Sequence, residues 1–130
     1  MTMQRLLLDA HTLLWWLADD PALGTQTREA IADGRNRVYV SAASIWEIGI
    51  KRALGKLDAP QGMDRIVEEE RFIPLPVTLH HAEAASLLPH HHRDPFDRML
   101  IAQAQSEGLT LVTADGQMGI YGVRILAAGE

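Results

Sequence analysis

Along the chain, short runs of consecutive apolar residues alternate with stretches in which apolar positions recur at helical spacing. Arg5-Leu6-Leu7-Leu8-Asp9 reads as a buried strand ending in an acid, Val38-Tyr39-Val40 as a short strand, and Phe72-Ile73-Pro74 as a weak one. Leu109 to Thr113 and Val123 to Leu126 complete the strands. Helices are predicted over Ala10 to Ala18, Thr25 to Asp33, Ser44 to Leu54, Met63 to Arg71, Thr78 to Leu88 and Asp94 to Glu107. Gly34, Gly55 and Gly108 stand where helix C-termini favour glycine. Strands separated by helices, with strand runs apolar on both faces, predict a three-layer α/β/α fold around a mostly parallel sheet. Ligands of such sheets sit beyond the carboxyl ends of the strands.

That edge is where the acids gather. Asp9 ends the first strand, and Asp115 follows Thr113 at the end of another. Asp97 lies in the first turn of its helix, three and four residues from Leu100 and Ile101, so it shares their inward face. Glu47 is expected in the first turn of the helix after Val38-Tyr39-Val40, near the same edge. Two carboxylates about 4 Å apart repel by on the order of 4 kcal/mol at an effective dielectric near 20. A cluster of four therefore asks for shared protons or a divalent cation. The chain has no Cys, and an all-oxygen donor set suits Mg²⁺ or Mn²⁺ rather than zinc.

Each acid also has a purely structural reading. Ser44-Ile45-Trp46-Glu47 fits a capping box, and Glu47 with Lys51 is a favourable i,i+4 ion pair. Asp94-Pro95-Phe96-Asp97 is a good helix start with Asp94 as N-cap. Asp9 fits as a cap for the helix after it, and Asp115-Gly116 as a turn. Their common placement at one sheet edge is what speaks against four unrelated roles.

Composition narrows the classes. The chain has 130 residues, 47% hydrophobic and 22% charged, which suits an ordered domain and not a disordered chain. One domain over residues 1–130 is expected. No apolar stretch is long enough to span a membrane and no signal-peptide pattern is visible, so a soluble, cytoplasmic domain is expected. The formal charge of -5 argues at first sight against a nucleic-acid partner. Cations bound at the acidic edge would reverse that, bringing a phosphate in where the negative charge is concentrated.

At this point the residues resemble a known family. Leu7-Leu8-Asp9-Ala10-His11 with Leu14-Trp15, Ser41 and Ser44-Ile45-Trp46-Glu47 with Lys51, and Leu54-Gly55-Lys56-Leu57 are similar to PIN-domain ribonucleases, above all VapC toxins of type II toxin–antitoxin pairs. The similarity continues through His92-Arg93-Asp94-Pro95-Phe96-Asp97-Arg98, Ile101-Ala102-Gln103-Ala104, Leu111-Val112-Thr113-Ala114-Asp115 and Tyr121. The resemblance implies a PIN-like fold and a Mg²⁺- or Mn²⁺-dependent endoribonuclease. Asp9, Glu47, Asp97 and Asp115 match the family's acidic quartet, and Thr113 a hydroxyl position often near it. It further implies an RNA substrate, a cognate VapB-like antitoxin and frequent homodimers. The stretch after Asp115 lacks an acid that some members carry, which weakens a second metal position.

The remaining candidates carry open alternatives. Lys51 and Arg98 are placed either to hold an RNA phosphate or to balance the nearby carboxylates. His90-His91-His92 reads as a solvated loop rather than a zinc site, with His92 reserved for local hydrogen bonding or substrate contact. His11 is expected to satisfy backbone groups near Asp9, and Asp94 to cap its helix, with approach to a metal through water left open. Trp15 or Trp16 suggests a protein interface unless a neighbouring helix covers it. Two rival classes stand beside the nuclease: a catalytically silent interaction module of the same fold, and a phospho-acceptor signalling domain. The latter needs a paired acid, an acceptor Asp and a late Lys at set strand ends, and none is found in those places.

Overall fold

The computed structural model describes residues 2–130. Five parallel strands form one sheet in the order β3-β2-β1-β4-β5: β1 (Arg5–Leu8), β2 (Arg37–Ser41), β3 (Ile73–Leu75), β4 (Thr110–Thr113) and β5 (Ile125–Ala127). Six α-helices connect them: α1 (Ala10–Leu17), α2 (Thr25–Ala32), α3 (Ala42–Ala53), α4 (Met63–Glu69), α5 (Leu79–Leu87) and α6 (Pro95–Glu107). The three-layer α/β/α arrangement is that expected of the pattern, with the sheet parallel throughout.

Alternation along the strands divides the core in two. Leu6 and Leu8 of β1, Val38 and Val40 of β2, and Val112 of β4 pack against Leu13, Ile31, Ile48 and Val67 from the first four helices. Leu7 and Leu111, pointing the other way, meet Ala85 of α5 and Leu100, Ile101 and Ala104 of α6. Leu6, Leu7, Leu8 and Leu111 are fully buried. Each fully buried leucine contributes about 1.5–3 kcal/mol relative to exposure.

The helix ends set the positions of the acids. Asp94 accepts hydrogen bonds from the N–H groups of Phe96 and Asp97 at 2.8 and 3.1 Å, with Pro95 in the first helical position of α6. At the far end Gly108 adopts φ of 66°, a left-handed cap that favours glycine. The start of α3 departs from expectation. Ser41 is its N-cap, accepting from the Ala43 N–H at 3.0 Å, so the helix begins directly at the end of β2. Ser44 is thereby inside the helix, buried, and the capping box with Glu47 does not form. Both serines have cap chemistry; the strand's end point selects the first.

One element escaped the pattern. Gly116–Tyr121 forms a 3₁₀ helix, begun by Asp115, whose carboxylate accepts from the Gln117 N–H at 3.0 Å. Short 3₁₀ turns carry little periodicity, and the turn signal Asp-Gly was all that marked it. No helix among the described residues is long and apolar enough to cross a membrane.

Candidate active site

Asp9 sits between β1 and α1, its backbone N–H bonded to the Val112 carbonyl of β4 at 3.1 Å. One carboxylate oxygen caps α1 through the Thr12 N–H at 2.8 Å. The Thr12 hydroxyl donates to the same Val112 carbonyl at 3.1 Å, tying the start of α1 to the end of β4. Capping and site placement are therefore compatible for Asp9, because one oxygen suffices for the cap.

Glu47 lies in the second turn of α3, a turn deeper than its spacing from Ser44 implied, and is buried with 6% of its surface exposed. Lys51, one turn on, donates to its Oε2 at 2.7 Å. The Glu47 carboxylate raises the Lys51 pKa, with smaller contributions from Asp94 and Asp97. Lys51 is the cation that accompanies a buried carboxylate. Ser44, one turn before Glu47, has a buried hydroxyl oxygen with no partner among the described residues.

Asp97 is pushed up to a pKa of about 7 by burial first, then by the charges of Asp94, Glu47 and Asp9, with His92 acting the other way. Asp115 is set by β4 through Thr113, whose buried hydroxyl accepts the Asp115 N–H at 3.0 Å. Asp9, Glu47, Asp97 and Asp115 line a single open cavity of about 260 Å³, together with Asp94, Thr113 and Lys51. The four acids come from the ends of β1 and β4 and from α3 and α6, so the fold converges what the chain separates.

Other residues fall differently from their sequence readings. Arg98 does not face the cavity with free donors: its guanidinium donates to the carbonyls of Pro89, His92, Ala85 and Leu88 at 2.9–3.3 Å. It closes the C-terminal end of α5 and the loop after it. His92 is not part of a solvated loop. Its Nε2 lies 3.0 Å from Asp115 Oδ2 and 3.2 Å from Asp97 Oδ2, while His90 and His91 remain exposed. His11 is exposed, its ring beside Trp15, and Thr12 does the backbone work expected of it. Trp15 and Trp16 are half-buried against the core; Trp16 donates to Glu70 at 2.6 Å and packs on Phe72. The exposed tryptophan is instead Trp46, 67% accessible, edge-on to Phe96 at 5.6 Å. Sequence reading missed the role of Tyr121, whose hydroxyl donates to the Pro89 carbonyl and accepts from the His92 N–H.

The donor chemistry fits a hard divalent cation. Carboxylate oxygens from four elements face one cavity, and His92, Asp97 and Asp115 bring ligand-type atoms within 4.8 Å of one another. The raised pKa of Asp97 comes first from burial and then from the charges of Asp94, Glu47 and Asp9 around the same cavity.

A PIN-domain family model matches residues 6–122 of the chain. The ribonuclease VapC16 of Mycobacterium tuberculosis is 39% identical over 62 residues, 46% of this chain and 44% of that protein. The match thus spans under half of that relative's length. Among solved structures, VapBC2 of Rickettsia felis bound to a promoter DNA fragment superposes with a TM-score of 0.70 at 13% identity, covering 95% of this chain and 98% of the other. DNA-bound VapBC of Salmonella typhimurium gives 0.68 at 22% identity with the same coverage. At those identities the two structures speak for the fold.

Proposed function

The chain belongs to the PIN-domain family, and from that premise we propose that it is a divalent-metal-dependent endoribonuclease, the toxin of a type II toxin–antitoxin pair. The observation that carries the reading is the convergence of Asp9, Glu47, Asp97 and Asp115 on one cavity at the carboxyl edge of the sheet. The partial likeness to a ribonuclease of the VapC kind and the fold shared with VapBC assemblies support it. RNA is the substrate, a VapB-like protein the antitoxin, and a second copy of the chain a further partner; the cytoplasm is the place of action.

Held by Asp9, Glu47, Asp97 and Asp115, Mg²⁺ or Mn²⁺ would supply Lewis acidity toward the phosphate and would lower the pKa of a water. The chain's own groups prepare that site. Asp9 and Asp115 each commit one oxygen to a backbone N–H, which orients the other. Lys51 donates to the buried Glu47 carboxylate at 2.7 Å and holds it in place. Thr113 anchors the backbone of Asp115. Asp97, pushed up to a pKa of about 7 mainly by burial, would have to give up its proton to hold a cation. By analogy with the family it resembles, water attacks phosphorus and the 3′-oxygen leaves, giving 5′-phosphate and 3′-hydroxyl ends.

The test is Asp97→Asn. It is expected to abolish Mg²⁺- or Mn²⁺-dependent RNA cleavage while far-ultraviolet circular dichroism stays that of the parent. Undiminished cleavage by this variant overturns the proposal.

A further inference from the structure

The loop between α5 and α6 contains a residue, His92, whose every polar group is engaged. The His92 backbone N–H donates to the Tyr121 hydroxyl at 2.8 Å, and its carbonyl accepts from Arg98 at 3.3 Å. Its ring Nδ1 accepts the Asp94 N–H at 3.3 Å, and its Nε2 faces Asp115 Oδ2 at 3.0 Å and Asp97 Oδ2 at 3.2 Å. Tyr121 and Arg98 also both bind the Pro89 carbonyl, so the loop is held from two directions. With 18% of its side chain exposed, His92 is fixed rather than adaptable.

These contacts determine the tautomer. An N–H pointing at Nδ1 requires that nitrogen's lone pair, so the ring proton is on Nε2. A donor, and not a lone pair, therefore faces the two carboxylates. Asp97 and Asp115 come from different elements, α6 and the end of β4, and repel each other; a shared N–H between them draws both into one place.

We propose that His92 is a positioning residue, whose Nε2–H bridges Asp97 and Asp115 and holds them at cation-binding separation. It is neither a phosphate contact nor a metal ligand. To act as a ligand, Nε2 would need the opposite tautomer, which would set the Nδ1 proton against the Asp94 N–H. This inference rests on the acidic cavity being a metal site, as the nuclease reading requires. Partners behind metal ligands typically change metal affinity by about 10- to 100-fold when lost.

The experiment measures Mn²⁺ affinity, from the free-ion electron paramagnetic resonance signal, in the parent chain and in His92→Phe and His92→Gln. Phenylalanine keeps the ring and removes the donor; glutamine keeps a donor. Affinity is expected to fall about 10- to 100-fold in His92→Phe and to recover at least in part in His92→Gln. Electron spin-echo modulation of the Mn²⁺-loaded parent is expected to lack a directly coordinated nitrogen, and this arm stands even where a variant fails to fold. Unchanged affinity in both variants, equal loss in both, or a directly bound nitrogen in the parent overturns the inference. RNA cleavage by the parent, assayed alongside, separates the two readings. Absent cleavage with His92-dependent Mn²⁺ binding sinks the nuclease proposal alone, and cleavage with His92-independent binding sinks this one.

Discussion

At Asp97 a single carboxyl group registers both its burial and the acids beside it. Burial and the charges of Asp94, Glu47 and Asp9 lift its pKa from the ordinary 3.8 to about 7. The folded chain consequently binds this proton more tightly than the unfolded chain does. Between those two values the folded state holds more protons, so stability falls as pH rises through the window. In the presence of a chelator, urea midpoints are expected to decline from pH 4 toward pH 7, and Asp97→Asn to flatten that decline. A slope equal in the two proteins would show that Asp97 is not the group responsible. The placement of Asp9, Asp97 and Asp115 was legible in the sequence because each lies beside a strand end or helix start. The placement of His92 was not, since its partners are 5 and 23 residues away and only the folded loop brings them together.

Helix α6 illustrates how one element serves both stability and site. Asp94 caps it, Asp97 turns inward from its first turn, and Arg98 next door reaches back to bind four carbonyls of the preceding segment. The cap was legible from Asp-Pro-Phe-Asp; the reach of Arg98 was not, because a sequence shows a charge but not which acceptors surround it. Hydrogen bonds to charged groups are worth about 1.5–3 kcal/mol, and several of these are partly exposed. Arg98→Ala is expected to lower stability by about 2–4 kcal/mol in urea unfolding, with Arg98→Lys recovering only part, because a point charge cannot span the fork. Asp94→Ala is expected to cost about 0.5–2 kcal/mol as a lost cap. A neutral Arg98→Ala would mean that the carbonyls are equally satisfied by water.

At the scale of the molecule, the sheet order places β1 at the centre, flanked by β2 and β4, so the segments that leave these three strands open onto one edge. This is why acids at positions as distant as 9 and 115 face one cavity. Their mutual repulsion opposes folding of the metal-free chain, and a bound cation reverses it. Mg²⁺ or Mn²⁺ is therefore expected to raise the thermal midpoint, with the rise growing logarithmically once the ion exceeds its dissociation constant and EDTA restoring the lower value. Calorimetry of Asp9→Asn should show a much reduced rise; an undiminished one would place the cation elsewhere. The charge of -5, which at first argued against nucleic acid, is consistent with RNA once part of it is committed to cations.

The sequence by itself determined the alternation of strands and helices, the apolar faces that split the core, and the acids at strand ends, because periodicity and capping are local properties. It also carried the family resemblance through its Asp-Pro-Phe-Asp-Arg segment. The tertiary structure decided where α3 begins, that Lys51 belongs to Glu47, that Arg98 is occupied by carbonyls, and that His92 stands between two carboxylates. Those outcomes depend on competition among partners remote in the chain, and a hydrogen-bonding group takes the partner that packing brings within about 3 Å.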